Sequence, residues 1–167
     1  MTRTWWLWLS LVVWASDDDL LAPRVDAVDS HIGRTTRLLD EADVHQEALG
    51  KAQSLFVLEG CVSGRCPTER AILLIVQTER AGHASRDLLQ SARMALQRAH
   101  RAASSPMVRP LVSAERLDEL DALDARVERA VRAWSIRASW YSAVMDGWAW
   151  HHRHGIEKVC ELQDADP

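Results

Sequence analysis

Two Glu-x-x-x-His pairs, Glu41 with His45 and Glu79 with His83, have the residue types and spacing to do chemistry. A spacing of i and i+4 puts both side chains of a pair on one face of a helix. Two His and two carboxylates can then hold a divalent ion such as Zn²⁺ or Cu²⁺. The same spacing also describes an ordinary exposed helix pair, worth about a few tenths of a kcal/mol. The ordinary pair is the preferred reading, because all four residues sit beside the apolar stripes of their segments and not between them. Metal binding or sensing through these four residues is the alternative.

A second group is the tract Trp150-His151-His152-Arg153-His154, with Cys160 just beyond it. His151 and His154 share a helical face, and reduced cysteines nearby would add metal ligands. Basic side chains in a last helical turn also complement the helix dipole with no metal present. Cys61, Cys66 and Cys160 are read first as disulfide candidates. Cys61 and Cys66 flank a turn-like Val62-Ser63-Gly64-Arg65, so a local bridge is one pairing. Joining Cys160 to either of them is the other, and the longer loop would gain about 1 kcal/mol more in chain entropy. The sequence leaves both open.

Signatures of catalysis are missing from the chain: it has no nucleophile elbow, phosphate-cradling glycine loop, His-Glu-x-x-His or haem-attachment motif. A non-enzyme without cofactor is therefore expected. The net charge of −4, with only Lys51 and Lys158 as lysines among 20 basic residues, provides no basic patch and points away from nucleic acid.

The elements that must position these residues are helices. Eight Trp stand against one Tyr and one Phe, and the seven Gly and five Pro lie mostly between long apolar-periodic stretches, which disfavours sandwiches and barrels. Residues 1–15 (MTRTWWLWLSLVVWA) read as a signal peptide: one Arg, an apolar run from Trp5 to Trp14, and small residues Val13 and Ala15 at a cut site. The run is shorter than the roughly 20 residues of a membrane span, so a mature domain of residues 16–167 is expected in the periplasm or outside the cell, with no span of its own.

Three helices are predicted, at about 22–59, 67–103 and 113–154. The first carries Val25, Val28, Ile32, Leu39, Ala42, Leu49 and Phe56 at alternating three and four spacing, with Thr35, Gln46 and Gln53 among them, and ends at Gly60. The second has a thin face of small residues: Ala71, Ile75, Thr78, Gly82, Ser85, Leu89, Ala92, Leu96 and Ala99. The third, opening at Ser113 and capped by Gly155, has the strongest stripe: Leu117, Leu120, Asp124, Val127, Val131, Trp134, Ala138, Tyr141, Met145 and Trp148. Short connections predict an all-α fold, an up-down-up antiparallel bundle of long coiled-coil-like helices. Matching the helix ends puts Trp134 level with Gly82, a large ring against a bare backbone. Asp124 is expected to be buried, paired with Arg34 or Arg93.

Helix three has a second stripe, Ile136, Trp140, Ala143, Gly147 and Trp150. A helix apolar on two faces must be covered twice, and two other helices cover only the first. The second stripe is the expected docking face for a protein partner or a second copy; the alternative is that the tail after Gly155 or a tilted helix one shields part of it. The function expected from the sequence is an exported, non-enzymatic helical-bundle protein of the cell envelope that works by protein–protein interaction or assembly.

Overall fold

The computed structural model describes residues 17–61 and 65–163, with side chains described for 22–61 and 65–146. The described residues are all-helical, with no strand: α1 spans Asp17–Leu58, α2 Thr68–Ala103 and α3 Ala114–Gln163, forming a helical bundle. A short 3-10 helix, Arg109–Leu111, lies in the second connection.

Helix boundaries follow local chemistry. The first helix starts at Asp17, ahead of the expected position near residue 22, and carries Pro23 inside it. Proline there removes a single backbone bond near the helix start, while the acids at Asp17–Asp19 suit an N-terminus. At the other end Gly60 adopts φ 74°, the left-handed conformation that terminates helices and that glycine adopts without steric cost. Glu59 and Gly60 donate back to the Leu55 and Val57 carbonyls at 2.9 and 3.0 Å. Ser113 caps α3 as its sequence indicates, its hydroxyl accepting from the Arg116 N–H at 3.3 Å. The expected stop at Gly155 does not occur. Helix α3 continues through it to Gln163, since a glycine inside a long helix costs only about 1 kcal/mol.

The predicted stripes of α1 and α2 form the core. On α1, Val28, Ile32, Thr35, Leu39, Ala42, Gln46, Leu49, Gln53 and Phe56 are all buried. On α2, Ala71, Thr78, Ser85, Leu89, Ala92, Leu96 and Ala99 are buried, joined by Leu74, Ala81, Ala95 and Ala103. The main cluster runs from Val28 and Ile32 through Leu39, Leu89 and Leu96 to Leu120, Leu123 and Val127, with Val108 and Val112 of the connection closing one end. A smaller cluster of Phe56, Cys61, Ala71 and Leu74 closes the other. Around it the Cys61 and Cys66 sulfurs sit at disulfide distance, with Cα atoms 4.8 Å apart, so the local pairing is the one formed. Arg70 grips Glu59 across the same turn through two bonds of 2.7 and 2.8 Å, which holds the Glu59 carboxyl below its usual range.

Contacts to α3 keep a steady register. Arg116 pairs with Asp29 at 3.0 Å and Arg126 with Asp40 and Asp43 at 2.8 and 2.7 Å. Gln46 donates to the Ala130 carbonyl at 3.2 Å and Gln53 to the Arg137 carbonyl at 3.0 Å. Residue numbers thus rise together on α1 and α3. Between α2 and α3 they run oppositely: His100 meets Asp124, Gly82 meets Trp134 and Glu79 meets Tyr141.

Asp124 corrects the sequence reading. It is exposed and pairs with His100 at 2.6 Å, not with Arg34 or Arg93. Leu120, Leu123 and Val127 occupy the buried positions of that stretch, which turns Asp124 to the edge of the interface.

Core burial leads to a direct test by urea denaturation. Leu39, with no exposure, should lose about 2 to 5 kcal/mol of stability as Leu39→Ala. Val44, 66% exposed on the same helix, should change by no more than about 0.5 kcal/mol as Val44→Ala.

Candidate functional site

A helix buries about one residue in every three or four on its inner face. Two stretches of this chain exceed that supply: Leu55-Phe56-Val57-Leu58 at the end of α1 and Ile72-Leu73-Leu74-Ile75-Val76 near the start of α2. Phe56 and Leu74 take the inward positions with Ile75 half-buried beside them, and the other members are left outside, with Leu58 at 81% and Val57 at 49% exposure. Continuous apolar runs on helices are thus the sequence signal for exposed apolar surface at this end, and the stripe-by-stripe reading missed it.

Helix α3 adds its second stripe to the same place. Ile136 is 66% exposed and, with Trp140, Val57 and Leu58, lines a groove of about 560 Å³ between α1 and α3. Trp140 is half-buried. Its other side borders a tight space shared with Phe56, Thr78, Tyr141, Val144 and Met145. The end of α1 therefore covers part of the stripe, as the alternative of shielding by helix one has it, while Ile136 stays open. Ala143 is exposed. The side chains of Gly147 and Trp150 lie outside the described residues, as do those of His151, His152, His154 and Cys160.

The groove continues toward Glu47 and Lys51, which pair with each other at 2.7 Å. Arg137 lies where the two parts meet. Its guanidinium rests against Gly50, in the space a Cβ there would occupy. Neither Gly50 nor Arg137 belongs to an apolar stripe, so periodicity passes over both.

A smaller cavity of about 170 Å³ lies between α2 and α3, lined by Glu79, Gly82, His83, Arg86, Trp134 and Tyr141 among others. The expected meeting of Trp134 and Gly82 is present as a hydrogen bond, indole N–H to the Gly82 carbonyl at 3.1 Å. Tyr141 donates to Glu79 at 3.1 Å. Burial pushes the Tyr141 phenol well above its ordinary value, and the neighbouring Glu79 charge pushes it further the same way.

The four residues of the metal alternative are divided by this arrangement. Glu79 and His83 line the small cavity and Glu79 accepts from Tyr141. Glu41 is exposed and His45 half-buried on α1, and neither lines that cavity. Among the described residues no three His, Cys, Asp or Glu side chains gather into a metal-sized group.

Tyr141 is the sole tyrosine, so its titration can be followed by phenolate absorbance without competing tyrosines. Because the folded state holds the phenol proton more tightly, this group's stabilising contribution is complete below its unfolded value near 10 and lost as pH rises above it. Phenolate absorbance should therefore appear together with loss of helical circular dichroism, and not before it. Glu79→Gln should let it appear at lower pH. Trp134→Ala, which removes a half-buried ring and its bond to Gly82, should cost about 2 to 4 kcal/mol.

Comparison with protein-family models, curated proteins and solved structures gave no match to this chain, so its function is argued from its own residues.

Proposed function

We propose that this chain is an exported, non-enzymatic protein of the cell envelope, an up-down-up antiparallel bundle of coiled-coil-like helices that acts in protein–protein interaction or assembly through the Trp140 face of α3. The observation that carries the reading is the groove beside Ile136, where a large aliphatic side chain two-thirds exposed adjoins Val57, Leu58 and Trp140. Covering such side chains contributes on the order of 1.5 to 3 kcal/mol each for full burial, so a partner seated there has apolar surface to gain from. Export rests on the leader of residues 1–15. Among the described residues no helix is long and apolar enough to cross a membrane.

Two measurements in the native host test the reading. The N-terminus of the mature protein should be Ser16, and recovery of intact Met1 protein from the soluble cytosol would overturn export. A photo-crosslinking residue at position 136 should yield an adduct of discrete mass, while the same residue at Met94, 48% exposed on α2, should yield none. Equal products from the two positions, or no product from 136, would overturn the interaction surface.

A further inference from the structure

The groove between α1 and α3 has a charge that points to what fills it. Its lining from Gly50 to Trp140 is apolar or neutral except for Arg137. The adjoining stretch adds Leu55 and two charges, Glu47 and Lys51, which pair with each other at 2.7 Å. Among the described residues no carboxylate lies within ion-pair reach of the Arg137 guanidinium. The arginines along the other edge of α1 differ: Arg116 and Arg126 each bind aspartates of α1. An arginine at an apolar groove with no counter-charge becomes costly once the groove is covered, because its desolvation would go uncompensated. The occupant must therefore bring a carboxylate.

Gln53 bonds to the Arg137 carbonyl, and the Arg137 guanidinium reaches Gly50 at one end of the Gly50–Leu58 wall. Glu47, the one acid lining the groove and its continuation, already pairs with Lys51. The wall is nine residues long, roughly 13 Å along the helix, which suits two turns of a helix laid between α1 and α3 with anchors at i, i+4 and i+7.

We propose that this groove docks an amphipathic helix of a different protein, one that carries an Asp or Glu beside its apolar stripe, with the carboxylate pairing to Arg137 while the stripe covers Ile136, Val57 and Leu58. The inference rests on the proposed interaction face and names the chemistry of its partner.

The test is selection of binders from a random library of peptides of about 16 residues, roughly 24 Å as a helix, against three full-length proteins: wild type, Arg137→Glu and Ile136→Asp. Circular dichroism should show equal helix content in all three. Wild type should enrich peptides with an i, i+4, i+7 apolar stripe flanked by Asp or Glu. Arg137→Glu should enrich the same stripe flanked by Lys or Arg, and Ile136→Asp should enrich neither. Replacing the acid of a selected peptide by Lys should weaken binding to wild type by about tenfold or more, and Arg137→Gln should weaken the unaltered peptide similarly. Enriched peptides with no charge preference would overturn the acidic partner while leaving the docking face standing. No enrichment, or equal binding to Ile136→Asp, would overturn both. A wild-type dimer in sedimentation that Ile136→Asp dissociates would replace the partner helix with a second copy.

Discussion

Two glutamines seven residues apart on α1 reach two backbone carbonyls seven residues apart on α3: Gln46 to Ala130 and Gln53 to Arg137. The equal spacing means that one offset satisfies both. A shift of α3 by one residue would break both bonds and turn its buried side chains out of the core, because successive residues of a helix point about 100° apart. Both amides are nearly buried, at 8% exposure, so leaving them unbonded would carry a desolvation penalty of about 1 to 3 kcal/mol each. Other contacts depend on this register, including Trp134 over Gly82, Tyr141 beside Glu79 and Arg137 opposite Gly50.

Helix α2 makes close packing possible by having little side chain to bury. Ala71, Ala81, Ala92, Ala95, Ala99 and Ala103 face the core with Thr78 and Ser85, and the larger residues of α1, from Val28 to Phe56, fill the space they leave. Large residues on one helix set against small ones on the next make the pairing that close packing requires. Trp134 joins α3 to α2 through its indole N–H, which donates to the Gly82 carbonyl at 3.1 Å, while the space a Cβ of Gly82 would occupy stays open. The only polar partner it needs is the carbonyl already there.

The same economy leaves one end of the molecule over-supplied. Near the α1–α2 turn the chain is apolar in unbroken runs, while the local core, Phe56, Cys61, Ala71 and Leu74, is small. The remaining side chains, Val57, Leu58, Ile72, Leu73 and Val76, face outward. The Cys61–Cys66 pair and the Glu59–Arg70 grip hold this end together by covalent and ionic means, so its apolar surface is not all needed for folding. That separation of holding from burying is what leaves Ile136 and the end of α1 open as a groove.

The sequence by itself determined the three helices, most of their buried stripes, the Ser113 cap, the Gly60 terminus and the level meeting of Trp134 with Gly82. Each of these depends on local periodicity, cap chemistry or helix length, and none needs to know how one helix is rotated against another. Tertiary structure decided that Leu123 turns inward while Asp124 turns out to His100, that Leu74 is buried in a run whose stripe pointed to Ile75, and that Trp140 leans on the end of α1. It also decided that Cys61 closes on Cys66 and that Glu41 and His45 stay apart from the cavity of Glu79 and His83. These outcomes depend on the rotation of each helix about its own axis and on its offset from its neighbours. A stripe that advances every three or four residues defines that angle only to within a fraction of a turn, and packing of large against small residues settles the remainder.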